Sequence, residues 1–348
     1  MSKFNRALAA GTAAALCLTA GMAVAAPVSS SQTIASGFGS TNWQITNTGG
    51  TSGGPFGGNC DGGQALTIQD ASGPTGAGDA FDNAWNISID GVAYSAGATV
   101  DLTGTTYTAP AAVMSGLNVS VQYHVVPGDA LARILVTLQN PGASPIATAV
   151  QVGNNWGSDG STVIRDTSSG DTTVTTADRW LITSDNGPSD PVNLSVMYGT
   201  GAAVTPASYT TTVFDCAGPQ GLGTVFNVSV PAGETRHLMM FAGLGGVLSN
   251  DNLVASAQAA ATFFTDLDAM DPLWLDGLSQ AQLDRVVNWA PALPSFTTCA
   301  AEGLTGDPLK LCRLICESPL STGAKQPLIQ LWRIKMRSEP PCTAIIPD

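Results

Sequence analysis

The sequence predicts a mainly β protein. An antiparallel β-sandwich, either one large or two immunoglobulin-sized, is followed by a small disulfide-stapled α-helical unit at the C-terminal end. Three observations predict this. Short segments between about residues 28 and 248 alternate apolar and polar side chains with a period of two. Turn-forming residues punctuate them, with 39 Gly and 21 Pro in 348 residues. Beyond about residue 249 the composition turns Ala-rich, and four of the seven cysteines lie within the last 50 residues. An apolar content of 44% suffices for a core and excludes wholesale disorder. The glycines follow no Gly-X-Y period, which excludes collagen.

Residues 1–25 read as a secretory signal. Lys3 and Arg6 make a basic start, an apolar stretch follows, and Ala23-Val24-Ala25 supplies the small-x-small pattern for signal peptidase. The mature chain is expected to begin at Ala26 and to be secreted or periplasmic. Bulky Leu16 before Cys17 argues against a lipoprotein. No later stretch approaches 18 consecutive apolar residues, so no membrane span is expected once the signal is removed. The expected division is a signal at 1–25, a β-sandwich domain at 26–248 and a helical, disulfide-rich region at 249–348.

Strands are predicted from alternation. Over 118–126, Val119, Val121, Tyr123 and Val125 share one face, and Ser120, Gln122 and His124 the other. A strand at 131–139 is separated from one at 146–152 by Asn140-Pro141-Gly142-Ala143-Ser144-Pro145, where Pro sets φ and Gly can supply positive φ. Further strands are expected near 43–48, 86–89, 99–102, 172–176, 180–183, 192–198, 208–214, 224–230 and 235–241. This near-regular spacing favours a sandwich over a parallel sheet, and of the two forms that about 220 residues allow, one large sandwich is preferred to two immunoglobulin-sized ones.

Helices are predicted from composition and caps. Residues 256–264 are Ala-rich. Asp271-Pro272 reads as an N-cap followed by Pro at the first helical position. Ser279-Gln280-Ala281-Gln282 reads as a capping box. Asp307-Pro308 opens another helix carrying Leu311, Cys312, Ile315 and Cys316, and 327–337 forms the last.

Six cysteines remain in the mature chain: Cys60, Cys216, Cys299, Cys312, Cys316 and Cys342. An even number in an exported chain argues for disulfides. Cys60 and Cys216 sit in similar turns and are expected to pair. Cys312 and Cys316 lie one helical turn apart with parallel side chains, so each bonds outward, to Cys299 or Cys342 in one of two arrangements. CxxC spacing is absent and no His is near, so no zinc site is expected.

The charge is −13, and since the first 25 residues hold two basic groups and no acid, the mature chain carries −15. Basic groups concentrate beyond residue 309, at Lys310, Arg313, Lys325, Arg333, Lys335 and Arg337. An acidic body repels nucleic acid, which is therefore excluded as a partner. The basic tail reads as a solvated face docked on the acidic body, or as a patch for an anionic surface polymer.

No catalytic constellation stands out. The only histidines are His124 and His237, read as ordinary surface or edge residues. Gly50-Thr51-Ser52-Gly53-Gly54 has the letters of a nucleophile elbow, but the Gly- and Pro-rich run after it cannot start the helix that elbow needs. Most of the many Asp residues flank Gly, Ser or Asn, where they cap turns.

No cofactor is required by the sequence. Calcium is the one ion its acids suit, since turns supply hard oxygen ligands. The acidic clusters are Asp70, Asp79 and Asp82; Asp159, Asp166 and Asp171; Asp185 and Asp190; and Asp266, Asp268 and Asp271. None has EF-hand spacing.

Six tryptophans lie on predicted strands or helices and read as core. Trp156 stands in Gly153-Asn154-Asn155-Trp156-Gly157-Ser158-Asp159 among polar and small residues. It reads as an exposed platform for a sugar ring, with Asn155 and Asp159 to bond hydroxyls. The resulting expectation is a secreted, non-catalytic binding or adhesion protein of the bacterial surface, with polysaccharide or another surface protein as partner. The alternatives are a carbohydrate-active hydrolase or lyase on the same scaffold, in which the histidines or a carboxylate pair would line one groove, and a structural surface or matrix subunit.

Overall fold

The computed structural model describes residues 26–47, 65–185, 190–211, 220–245, 264–267, 270–290 and 328–333, with residues 255, 258, 261, 311, 312, 315 and 335. The expected signal peptide, the Gly-rich run at 50–58 and every cysteine except Cys312 lie outside these. The early strands are β1 (Ala26–Ser29), β2 (Gln32–Ala35), β3 (Asn42–Asn47), β4 (Leu66–Ser72), β5 (Asn86–Ile89) and β6 (Val92–Ala93). The middle ones are β7 (Thr99–Thr103), β8 (Thr106–Thr108), β9 (Ala112–Met114), β10 (Leu117–Val125), β11 (Leu131–Gln139) and β12 (Ile146–Asn155). The last are β13 (Val163–Thr167), β14 (Trp180–Ser184), β15 (Asn193–Val196), β16 (Pro206–Thr210), β17 (Gly221–Val230) and β18 (Thr235–Leu244). All pairings between these strands are antiparallel. The largest sheet runs β1-β7-β8-β10-β11-β18-β15-β14-β13, with β9 beside β10. A second runs β16-β17-β12-β5-β6, and β2-β3-β4 form a third.

Period-two alternation explains how these sheets meet. On β10, Leu117, Val119, Val121, Tyr123 and Val125 are buried, and on β12 so are Val150 and Val152. These side chains join Ile134, Val136 and Met240 of the large sheet, Phe226 and Val228 of β17, and Trp43, Ile45 and Ile68 of the third sheet in one continuous core. Antiparallel sheets thus pack around one shared core, in keeping with the mainly β class that the sequence predicts. Trp43 and Trp85 are both fully buried in it. Two tyrosine hydroxyls are satisfied as they enter it: Tyr123 donates to the Trp85 carbonyl at 2.8 Å and Tyr107 to that of Ser30 at 2.9 Å.

The outer face of the large sheet is covered as well, which the alternation on β10 does not show. Leu131 and Leu135 of β11, Ile182 of β14, Leu194 and Val196 of β15, and Met239 and Phe241 of β18 form a second core with Ala261, Phe264, Leu267, Met270, Val286 and Trp289. Burial on both faces is why β11 and β18 read as nearly unbroken apolar runs. Residues 285–287 are tied to β18 edge-on: His237 N–H donates to the Arg285 carbonyl and Val287 N–H to that of His237, each at 2.9 Å.

The caps read from sequence are present. Asp271 accepts from Leu273 N–H at 2.9 Å ahead of the 3-10 turn Pro272–Leu275. Gln282 Oε1 reaches back to Ser279 N–H at 3.0 Å at the start of α1 (Gln280–Leu283). Residues 255, 258, 261, 311, 312, 315 and 328–333 are helical. Cys312 is buried and disulfide-bonded.

One predicted strand is absent. Residues 172–176 form no strand, and Asp178 holds the chain there by a different set of bonds: its carboxylate accepts from Thr175 N–H at 2.8 Å, Thr175 Oγ1 at 3.0 Å and Ser169 N–H at 3.1 Å. Side-chain bonds of this kind compete with a strand ladder for the same backbone groups. Those bonds, led by that to Thr175 and opposed by partial burial, hold the Asp178 pKa below the usual carboxylate range. Among the described residues, no helix is long and apolar enough to cross a membrane.

Candidate functional site

Three loops that are distant in sequence meet at the end of the sandwich where β12 finishes and β17 begins. The β4–β5 loop brings Asp79 and Asp82, the β12–β13 loop brings Asp159, and the β14–β15 loop brings Asp190. Asp70 anchors the first loop from β4, its Oδ1 accepting from Ala80 N–H at 3.0 Å and Phe81 N–H at 3.4 Å. Asp82 N–H donates to the Asn155 carbonyl at 3.1 Å, and Gly157 N–H to that of Ala80 at 3.1 Å, so the first two loops are laced together. Asn193 Nδ2 reaches the same Ala80 carbonyl from β15 at 2.9 Å. Gln220, next to β17, donates from Nε2 to Asp159 Oδ1 at 2.6 Å.

The lacing depends on one glycine. A Cβ on Gly157 would stand 2.1 Å from the Asp79 carbonyl oxygen. Gly157→Ala is expected to push the two loops apart and to lower stability by about 1–3 kcal/mol, the usual range for overpacking. A denaturant titration showing an unchanged midpoint would refute this close approach.

The electrostatics of this end are one-signed. Burial raises the Asp79 pKa, and the carboxylates of Asp190, Asp70 and Asp159 raise it further. Burial also lifts Asp82, to about 6, helped by repulsion from Asp159 and Asp79 and by a side-chain hydrogen bond with Asp159. Asp79 and Asp159 are exposed, and Asp70, Asp82 and Asp190 are half-buried, so the cluster opens to solvent. Both Asp79 and Asp159 have positive φ, at 66° and 49°, a conformation Asp tolerates better than most residues.

Of the residues expected to bind a ligand, the structure leaves only Asp159 exposed. Trp156 is fully buried, which corrects the expectation of an exposed indole platform. It pairs with Phe81 in an isolated antiparallel bridge and donates its N–H to the Gln220 carbonyl at 3.0 Å, so it continues the sheet into the loop. Asn155 is buried too. Of the acidic groupings read from sequence, Asp70, Asp79 and Asp82 do come together. Asp159 joins them and not Asp166 or Asp171. Gln220 carries one local signal in the sequence, a polar residue leading into an apolar strand.

The two histidines lie elsewhere, and neither is at a surface or an edge. His124 on β10 and His237 on β18 are each 3% exposed, beneath the segment that covers the outer face of the large sheet. Each ring is pinned through Nδ1, His124 to Thr106 Oγ1 at 2.7 Å and His237 to Thr137 Oγ1 at 3.0 Å. Burial lowers both pKa values to about 4, with repulsion from Arg133 at His124 and from Arg285 at His237 adding to it. Asp276 acts in the opposite sense on His124. Buried Arg133 holds the covering segment in place, donating to the carbonyls of Trp274 at 2.8 Å and Asp276 at 3.0 Å and to Gln122 Oε1 at 3.1 Å. The groove lined by histidines that a hydrolase or lyase would use is therefore not formed by these two.

No family model matches the chain, and no curated protein matches it. Solved structures give distant likenesses. A TPR-domain containing protein from Parabacteroides distasonis is 12% identical, covering 59% of this chain and 45% of its own, with a TM-score of 0.33. A polysaccharide lyase is 11% identical, covering 50% and 27%, also at 0.33. This chain thus spans less than half the length of either. A galactose mutarotase-like protein from Lactobacillus casei is 10% identical, covering 62% and 99%, at 0.37. Two of the three are carbohydrate-related proteins, but likenesses at these scores assign neither ligand nor activity.

Proposed function

We propose that this chain is an exported bacterial binding protein that recognises polysaccharide through the acidic loop end of its sandwich. The observation that carries this reading is the convergence of Asp70, Asp79, Asp82, Asp159 and Asp190 at one solvent-open end. Carboxylates there can accept hydrogen bonds from the paired hydroxyls of a sugar ring. The loops are laced to one another by backbone hydrogen bonds, and a site ordered before binding lowers the entropic cost of binding. In the same reading Cys312 pairs with Cys299 or Cys342 and staples the C-terminal helices, as peptide mapping without reduction would establish.

A catalytic reading on the same scaffold is favoured by one observation. Asp82 is raised to about 6 beside Asp159. A carboxyl group whose pKa is lifted toward neutrality beside a second carboxyl group is the arrangement that acid–base cleavage of a glycosidic bond uses.

One assay separates these readings. The mature protein is incubated with a panel of soluble and insoluble polysaccharides, and both depletion from the supernatant and new sugar ends are recorded. Depletion without new ends is expected, with Asp159→Ala weakening retention at least tenfold. New ends that disappear in Asp82→Asn would make the protein an enzyme. Neither signal would overturn both and leave the structural-subunit alternative.

A further inference from the structure

We propose that Phe38, at the tip of the β2–β3 loop, is the platform on which an uncharged pyranose unit of the polysaccharide stacks. The inference rests on the polysaccharide reading and names the residue and the class of sugar that serve it. Among the described residues Phe38 is the one exposed aromatic, at 46%. Its loop is tied down from within and from outside. Phe38 N–H donates to Ser36 Oγ at 3.1 Å, Thr41 N–H to the Phe38 carbonyl at 3.1 Å and Ser36 N–H to that of Thr41 at 3.2 Å. From the neighbouring loops, the Pro74 carbonyl accepts from Ser40 N–H at 3.0 Å, and Gly128 N–H donates to the Ser36 carbonyl at 2.7 Å. A Cβ on Gly39 would stand 2.3 Å from the Pro74 carbonyl oxygen, so two loops meet backbone to backbone beside the ring. The backbone that carries Phe38 is thus held before any ligand arrives, which lowers the entropic cost of stacking on it.

The surroundings of the ring select a sugar. Its own loop offers Gly37, Gly39 and Ser40, and the loop it packs on offers Thr75 and Gly76, all of them exposed. The other large apolar side chains that are exposed, Val92, Val113, Leu273 and Leu331, belong to other elements. One ring among hydroxyls and bare backbone matches a pyranose, which has an apolar face of C–H groups and a rim of hydroxyls. The negative face of an aromatic ring attracts such polarised C–H groups. A bilayer or an apolar protein surface would instead call for a contiguous patch. Position adds a charge preference. Asn42 of β3 pairs with Ser72 of β4, which sets the Phe38 loop beside the stretch 73–79 that ends in Asp79. A Cβ on Gly73 would lie 3.5 Å from Pro191, the neighbour of Asp190. Phe38 therefore stands at the acidic end of the sandwich, where carboxylates repel uronate and sulfate groups and leave an uncharged sugar as the better ligand.

The test uses the full mature chain in affinity electrophoresis, with soluble neutral glucan and mannan as ligands and alginate and polygalacturonate as anionic counterparts. A neutral polymer is expected to retain the protein, and the anionic ones are not. Phe38→Ala should weaken that retention about tenfold, the scale of one aromatic contact. Its Tm should stay that of the parent, because the ring packs little of the fold. Phe38→Leu, which keeps apolar bulk but has no π face, should lose about as much retention. Phe38→Trp should be retained at least as well as the parent.

If the parent is retained and Phe38→Ala or Phe38→Leu is retained equally, the platform is overturned and the polysaccharide reading stands. Retention by the anionic polymers alone would overturn the class of sugar, and with it the proposal. A loss of retention matched by a fall in Tm would make Phe38 a structural residue and overturn the platform as well. A parent that no polymer retains would overturn the polysaccharide reading and the platform together.

Discussion

Replacing Trp289 by alanine should lower the stability of the folded protein by about 3–5 kcal/mol, the usual cost of deleting a buried aromatic side chain. Trp289 is fully buried at the centre of the second core, edge-on to Phe241 with centroids 5.9 Å apart. Phe241 also meets Phe264 at 5.0 Å, and Phe264 stacks on Trp274 at 4.7 Å. The indole Nε1 donates to the Met239 carbonyl at 2.7 Å. Next to it, the Asn288 side chain accepts from Met239 N–H and donates to the carbonyls of Met239 and Met197. Gly199 shows how closely these parts fit, since a Cβ there would lie 2.1 Å from the Trp289 ring. Urea titration of Trp289→Ala, read by far-UV circular dichroism, gives the loss directly. Dye binding to exposed apolar surface should rise as the covering segment loosens. A loss below about 1 kcal/mol would mean that the segment adds little to the sandwich it covers.

This second core marks the boundary of what the sequence makes legible. The alternation on β10 reveals a strand and correctly sorts Val119, Val121, Tyr123 and Val125 to one face. It also sorts His124 to a polar face, and that face is buried, because residues 271–288 return more than 140 positions later to cover it. Period and propensity describe one element against an unspecified interior. They cannot say that the other side will also be covered. The unbroken apolar runs of β11 and β18 were the available signal. Residues 172–176 fail for a different reason: β-branched residues suit a strand, but a single Asp six positions beyond the first of them binds the backbone there through its own carboxylate.

The candidate site was half legible. Asp70, Asp79 and Asp82 stand close enough in sequence to be grouped, but Asp159, Asp190 and Gln220 join them only through the order of strands in two sheets. Trp156 shows the limit of reading exposure from neighbours. Asn154 and Asn155 are polar yet fully buried, with the Asn154 side chain accepting from Trp85 N–H at 2.8 Å. A polar flank therefore says little about solvent where strands end in a hydrogen-bonded loop. Local chemistry gave the residue types of the site, and topology decided which of them meet.

Acid should destabilise this fold through its two histidines well before most carboxylates titrate. Each has a folded pKa of about 4, below the unperturbed value of roughly 6.5. The unfolded chain therefore binds more protons between these values. The stability each neutral ring contributes is fully present above about pH 6.5 and is lost as pH falls toward 4. The slope is about 1.4 kcal/mol per pH unit for each histidine, and the total is about 3 kcal/mol each. Asp82 works against this in part of the same window, because its pKa is raised and its protonation relieves repulsion as pH falls below about 6. A variant comparison isolates the histidines. In His124→Asn/His237→Asn the amides can still meet Thr106 and Thr137 but cannot take up a proton. Stability of the double variant and of the parent, measured by urea titration from pH 7.5 to 4.5, should converge as pH falls, with the parent losing up to about 2.7 kcal/mol more per pH unit near the middle of the window. Parallel curves would show that both rings are reached by water in the folded protein, and the covering layer would then have to open on its own to admit it.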